Sequence, residues 1–213
     1  MDAPPAAPLA PDLVLASASP RRRELLEMLG LVLVVAAVDI DETPLPGERP
    51  ADYVRRVAGA KCDAAVEARA AGPDAALAVL AADTTVVSGA AILGKPADAA
   101  DARRMLEGLA GRRHEVATAY RIRFAERQAD RTVTTSVSFR ALAPAEIEAY
   151  VASGEWRGKA GGYAVQGIAG AFVTELRGSH TNVIGLPVAE VLADLQALGA
   201  LPRWPPPAFG SGV

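Results

Sequence analysis

The chain has 213 residues, enough for one domain or two closely packed lobes around a real core; 51% of them are hydrophobic and 5% aromatic. A net charge of -3 provides no global field for nucleic acid or an anionic membrane surface, so any anionic ligand needs a local cluster of cations. A single cysteine, Cys62, excludes an internal disulfide framework, and no apolar run reaches the ~18 residues of a membrane span. The opening MDAPPAAPLAP lacks the basic start of a secretory leader, so a cytoplasmic protein is expected.

Residues 1–11 and the Pro-rich 201–213 lack hydrophobic periodicity and are expected to be disordered tails, leaving 12–200 as one folded domain. Leu13–Ala16 reads as a short strand, followed by Ser17–Pro20 and the helical RRRELLEMLG, closed by Gly30. LVLVVAAV (31–38) predicts a buried strand, and DIDETPLPGER an acidic loop. Pro50 opens a long helix to about Gly72, and AALAVLAAD (75–83) predicts a buried strand ending in a carboxylate. Asp98 caps a helix that runs through Gly111. His114–Phe124 and Arg131–Leu142 read as the strands of a hairpin, and Pro144 opens a short helix. The glycine-rich 158–170 follows, then a strand in AFVTEL and a closing helix over Leu186–Leu198. Crossovers combined with a long hairpin predict an α/β fold whose mixed β-sheet is flanked by helices.

Three features carry chemistry. In SASPRRR (17–23), Ser19 suits an N-cap and Pro20 the first helical position, which puts Arg21, Arg22 and Arg23 in the first turn. Cations oppose the helix dipole there, and an oxyanion held by amides, hydroxyls and guanidinium groups removes the conflict. Lys61 follows Val54, Val57 and Ala58 on the apolar face of its helix, so it either snorkels to the surface or points into a site. Asp39, Asp41 and Glu42 after one strand and Asp83 at the end of another are hard oxygen donors suited to Mg²⁺ or Mn²⁺, though Asp83-Thr84 taken alone reads more simply as a turn or cap. Lys95 in LGKP adds a loop cation. Cys62 reads as packing, and His114 and His180 as structural, His180 in a loop. Walker A, GxGxxG, zinc-ligand and nucleophile-elbow patterns are absent.

In order and spacing, LASASPRRRELL, DIDET, the Lys61 helix, AADTTV, GKP, AGGYAVQG and NVIGLP resemble the Maf family of nucleotide pyrophosphatases from about Leu13 to Leu198. The resemblance implies a fold like that of inosine triphosphate pyrophosphatases, with two lobes around a central cleft. It also implies hydrolysis between the α and β phosphates with a divalent metal. Asp83 matches the family's proton acceptor; Ser17, Ser19, Arg22, Lys61 and Lys95 match phosphate-side positions; Glu42 matches an acidic residue of the metal cleft, shared here with Asp83. Arg21, Thr84 and Gln166 match the three positions that mark the branch acting on dTTP and UTP, whereas a sister branch acts on 7-methyl-GTP. His180-Thr181 departs from the family, which commonly has an aromatic there.

The expected partner is a nucleoside triphosphate rather than nucleic acid or membrane, with a homodimer left open. The competing readings are a 7-methyl-GTP pyrophosphatase, a nucleotidyltransferase and a non-catalytic nucleotide-binding regulator of cell division.

Overall fold

In the computed structural model, which describes residues 10–89, 91–201 and 204–205, the chain forms one seven-stranded mixed sheet. The expected disordered tails over 1–11 and 201–213 fall largely outside the described residues. Three strands build the parallel half: β1 (Leu13–Leu15) lies between β2 (Leu33–Val35) and the long β3 (Ala78–Ser88). The crossovers are helices α1 (Pro20–Glu27) and α2 (Pro50–Arg69), each opened by its proline. Gly30 adopts a positive φ of 79° after α1, as the sequence predicts for a helix stop.

The antiparallel half continues from β3. The short β4 (Ala91–Leu93) folds back on the end of β3, and β5 (Arg113–Phe124) pairs along nearly its whole length. β5 and β6 (Arg127–Phe139) form the expected hairpin, and β7 (Val173–Arg177) closes that edge. Asp98 caps α3 (Ala99–Leu109) by accepting from the Asp101 amide. In α4 (Pro144–Ser153), the Glu146 carboxylate accepts from the Ala143 amide. The last helices among the described residues are α5 (His180–Ile184) and α6 (Val188–Ala197).

Apolar packing divides into two large clusters. One joins β1 and α1 to the start of β3, the end of β5 and α6, around Leu15, Leu26, Leu80, Ile122 and Leu195. The other joins α3 and α4 to the opposite ends of β3 and β5, around Val86, Leu106, Val116, Tyr150 and Phe172. A cleft is lined by Ile184, which packs against the first cluster, and by Val86 and Val116 of the second. No helix among the described residues is long and apolar enough to cross a membrane.

Four expectations are corrected. The apolar run 31–38 supplies only the three-residue β2, which is half-buried because it forms an edge with one neighbour. β3 does not stop at Asp83; the β-branched Thr84–Val87 carries it on to Ser88, so Asp83 lies mid-strand. The second hairpin strand starts at Arg127 rather than Arg131, because polar side chains along it pair across the hairpin, as Asp130 does with Arg121. His180 opens α5, a helix too short to leave a periodic signal, with the Ser179 hydroxyl accepting from the Asn182 amide.

His114 lies inside the second cluster, 2% exposed, with Nε2 hydrogen-bonded to Tyr163 Oη at 2.8 Å. Burial pulls its imidazole pKa down from 6.5 to about 4. The unfolded chain therefore takes up a proton between pH 6.5 and pH 4 that the folded chain refuses. The stability conferred by the neutral ring is complete above pH 6.5 and declines as pH falls toward 4. Melting temperatures measured across this interval should drop less steeply in His114→Gln, whose amide can still bond Tyr163, than in the unaltered protein. Parallel pH profiles would refute the assignment.

Candidate active site

The cleft arises from a gap in strand pairing. On one flank β3 pairs with β1 as far as Leu80 and with β4 from Val86 onward. Residues Ala81–Thr85 are left without a strand on that side, so backbone polar groups and alternating side chains face an opening of about 300 Å³. That is the lower end of the range for small-molecule sites. Asp83 and Thr84, adjacent on β3, point to opposite faces.

On one face, Lys61 reaches from α2 to the strand. Its Nζ lies 2.9 Å from Asp83 Oδ1 and 2.8 Å from Glu42 Oε1. The lysine is 9% exposed and Asp83 7%. A buried ammonium without a partner costs several kcal/mol, so this placement needs a carboxylate beside it, and Lys61 has two. Lys61 therefore points into the site and does not snorkel. Partial burial acts to raise the Glu42 pKa, but the Lys61 hydrogen bond and charge, helped by Lys95 and Arg22, hold it below its ordinary value.

Glu42 rides on a loop without regular structure, which Arg56 of α2 anchors. The guanidinium donates to the Thr43 carbonyl at 3.0 Å and forks onto Glu48 at 2.7 and 2.8 Å. Of the neighbouring carboxylates, Asp41 accepts from the Thr43 amide 2.8 Å away and Asp39 is exposed; neither lines the cleft.

On the opposite face lies the start of α1. Its three arginines part company. Arg22 is buried and donates to the carbonyls of Gly185 and Ala82 at 2.8 and 2.7 Å, and to Ser17 Oγ and Thr84 Oγ1 at 3.0 Å each. Four of its five N–H groups are thus spent inside the protein, which makes it a strut tying α1 to β3 and the turn after α5. Arg21 stands at the cleft rim, reaching the Gly158 carbonyl at 3.4 Å, while Arg23 pairs with Glu27 in solvent. Ser19 takes the N-cap position, but its hydroxyl makes no cap bond and stays available at the cleft.

Thr84 is likewise engaged. It accepts from Arg22, and its single proton goes to Thr118 Oγ1 at 2.9 Å or to the Gly185 carbonyl at 3.3 Å. Gln166 is exposed on the cleft wall and Lys95 on its lip. The structure thus gathers Ser17, Ser19, Arg21, Arg22, Glu42, Lys61, Asp83, Thr84, Lys95 and Gln166 around one opening.

Lys159 also lines the cleft, anchored by the carbonyls of Glu155 and Arg157, and sequence reasoning missed it. Burial, with Arg21 nearby, holds its pKa below the ordinary value. Its only sequence signal was a lysine in a glycine-rich loop.

The donor set suits a small divalent ion in part. Glu42 and Asp83 each spend one oxygen on Lys61 Nζ and have the other as a donor, while no group of three or more His, Cys, Asp or Glu residues is present among the described residues. Mg²⁺ commonly takes one or two carboxylates and completes its shell with phosphate oxygens and water, so the pair fits a cation that arrives with a polyphosphate.

Comparison with known proteins points the same way. The family model described as Maf-like protein matches residues 12–198. A dTTP/UTP pyrophosphatase of Anaeromyxobacter dehalogenans (strain 2CP-1 / ATCC BAA-258) is 53% identical over 93% of this chain and 100% of its own. Those of Sphingopyxis alaskensis and Cereibacter sphaeroides are 55% and 51% identical, covering 89% and 88% of this chain and 97% and 95% of theirs. Among solved structures, the Staphylococcus aureus Ham1 protein is similar at 15% identity and a TM-score of 0.40, over 60% of this chain and 71% of that one, too slight a likeness to bear on the site.

Proposed function

The chain belongs to the Maf family, and we propose that it hydrolyses dTTP and UTP to the nucleoside monophosphate and pyrophosphate in the cleft between its lobes. The observation that carries this reading is the Glu42–Lys61–Asp83 cluster at 2.8 and 2.9 Å, facing a wall of cations.

A triphosphate brings about four negative charges, and more charge develops on the leaving pyrophosphate, so positioning and electrostatics dominate such reactions. Arg21, Lys61, Lys95 and Lys159, with the Ser19 hydroxyl and the α1 amides, hold the phosphates. Asp83 takes the proton of a water whose oxygen bonds to the α-phosphorus as the α–β bridging bond breaks. Pyrophosphate leaves toward the lysines. Glu42 and Asp83 would hold a divalent cation, Mg²⁺ or Mn²⁺, which when bound would offset phosphate charge. Arg22 keeps the two walls of the cleft in register, and its one remaining N–H is available to a phosphate oxygen. A cytoplasmic setting, rich in Mg²⁺ and nucleotides, suits this chemistry.

Gln166 offers two donors and one acceptor to the base, a pattern that matches the O4 and N3–H edge of uracil or thymine. Product analysis tests where the bond breaks. UTP should yield UMP and pyrophosphate in equal amounts with water as the only acceptor; UDP with phosphate, or transfer of the nucleotidyl group to a second substrate, would overturn the proposal.

A further inference from the structure

Gln166 is flanked by a contact that the pyrophosphatase chemistry does not use. The Glu155 carboxylate, on the turn after α4, reaches across to the segment following Gln166. There Oε2 accepts from the Ile168 amide at 3.0 Å and Oε1 from the Ala169 amide at 3.4 Å. These amides open the 3-10 turn Ile168–Phe172, for which Gly167 occupies the N-cap position without a side chain of its own. Glu155 thus supplies from a distance the cap that this short helix lacks locally.

Gly167 is independently fitted to the same carboxylate. A Cβ there would lie 2.2 Å from Glu155 Oε2 and 2.5 Å from Cδ. Its φ of -113° lies outside the left-handed region, so the carboxylate, and not a positive φ, is what a side chain there would meet. The Glu155 carbonyl, meanwhile, accepts from Lys159 Nζ, so one residue joins the cation wall to the Gln166 segment.

We infer that Glu155 and Gly167 form a lock that positions Gln166 against the base, so that Glu155 determines base selectivity without touching the nucleotide. The inference rests on Gln166 as the base-reading side chain. An amide lost from the cap lets the peptide after Gln166 turn, and its side-chain donors then no longer meet a fixed base edge. Discrimination built on buried hydrogen bonds is the property most sensitive to such slack, because it requires each donor to stay unpaired when the wrong base enters. On the phosphate side, Arg21, Lys61 and Lys95 make no contact with this lock, and Lys159 is anchored by the Glu155 backbone carbonyl, which a change of the Glu155 side chain leaves in place.

Two variants test it by different routes. Glu155→Gln replaces one acceptor oxygen by a donor that opposes an amide N–H. Gly167→Ala forces the carboxylate aside, and the group that must move is the free end of a flexible side chain, so folding is spared. kcat/KM for UTP and for CTP, with thermal unfolding as the check on fold, should show the UTP:CTP ratio falling by about tenfold or more in both variants. Gln166→Ala serves as the reference. A collapsed ratio in Gln166→Ala beside an unchanged ratio in folded Gly167→Ala overturns the lock and leaves the base reader standing. An unchanged ratio in Gln166→Ala overturns both.

Discussion

Asp83→Asn should lower turnover of UTP by roughly 10²–10⁴-fold while leaving the fold intact. The loss corresponds to about 3–5 kcal/mol of transition-state stabilisation. The substitution preserves shape and removes the proposed proton acceptor, which is also one of the two carboxylates that meet at Lys61. The fold should survive because Lys61 keeps Glu42 at 2.8 Å, so no buried ammonium is stranded. Truncating the lysine is the harsher change: Lys61→Met leaves two carboxylates facing each other, and their repulsion adds an instability that clouds the kinetics. Asp83→Asn is therefore the cleaner probe. Steady-state turnover beside a thermal melt reads it, and near-normal turnover in a folded protein would remove Asp83 from the mechanism.

Gln166→Glu should abolish the preference for uracil and thymine over other bases without abolishing pyrophosphate release. A carboxylate cannot donate to O4, and at neutral pH it repels the same carbonyl oxygen. A site that hydrogen-bonds one base edge can discriminate by about 10⁴-fold in favourable cases, so the ratio of kcat/KM between UTP and CTP has a wide range in which to fall. The phosphate-binding groups are untouched, and the remaining activity should be similar for every base. If Gln166→Glu retained the full UTP:CTP ratio, base choice would have to reside elsewhere on the cleft wall.

Of the three positions that the family resemblance associates with the uracil and thymine branch, Thr84 stands apart from Arg21 and Gln166 in the structure. Both of the latter present side chains to the cleft, whereas the Thr84 hydroxyl is committed to Arg22 and to Thr118 or Gly185. Thr84 is therefore tied to the cleft walls through the Arg22 strut and the turn at Gly185.

Much of this site was legible in the sequence because local rules were visibly broken. Arginines in the first turn of a helix oppose its dipole, and Arg22 does lie at the cleft. A lysine on an apolar helical face either snorkels or meets a buried partner, and Lys61 meets two. What local rules cannot convey is where a strand stands relative to its neighbours. Asp83 read as a strand end because the apolar run stops there, yet β3 continues and the opening comes from the shortness of β1 and β4 on its flank. Glu155 and Lys159 were invisible for a related reason. Each acts through backbone groups brought near by the turns of the glycine-rich segment, and no spacing encodes that approach.

The division of the fold followed the same logic. Helices with a proline start or an aspartate cap, such as α2 and α3, were placed closely from sequence, since those residues satisfy or remove orphan amides at a definite position. The five-residue α5 offers less than two turns of periodicity. It is held instead by Asn182, whose side chain donates to the Val116 carbonyl and Thr135 Oγ1 at 3.0 Å each, contacts to β5 and β6 far away in sequence.

The central claim is a choice of bond and of base, and a single panel tests it: pyrophosphate release from dTTP, UTP, CTP, the purine triphosphates and 7-methyl-GTP, each with and without Mg²⁺ or Mn²⁺. The account predicts that dTTP and UTP have the highest kcat/KM and that release depends on the divalent ion. A clear preference for 7-methyl-GTP would contradict the branch assignment, and absence of pyrophosphate release from every triphosphate in the presence of metal would contradict the enzymatic reading itself.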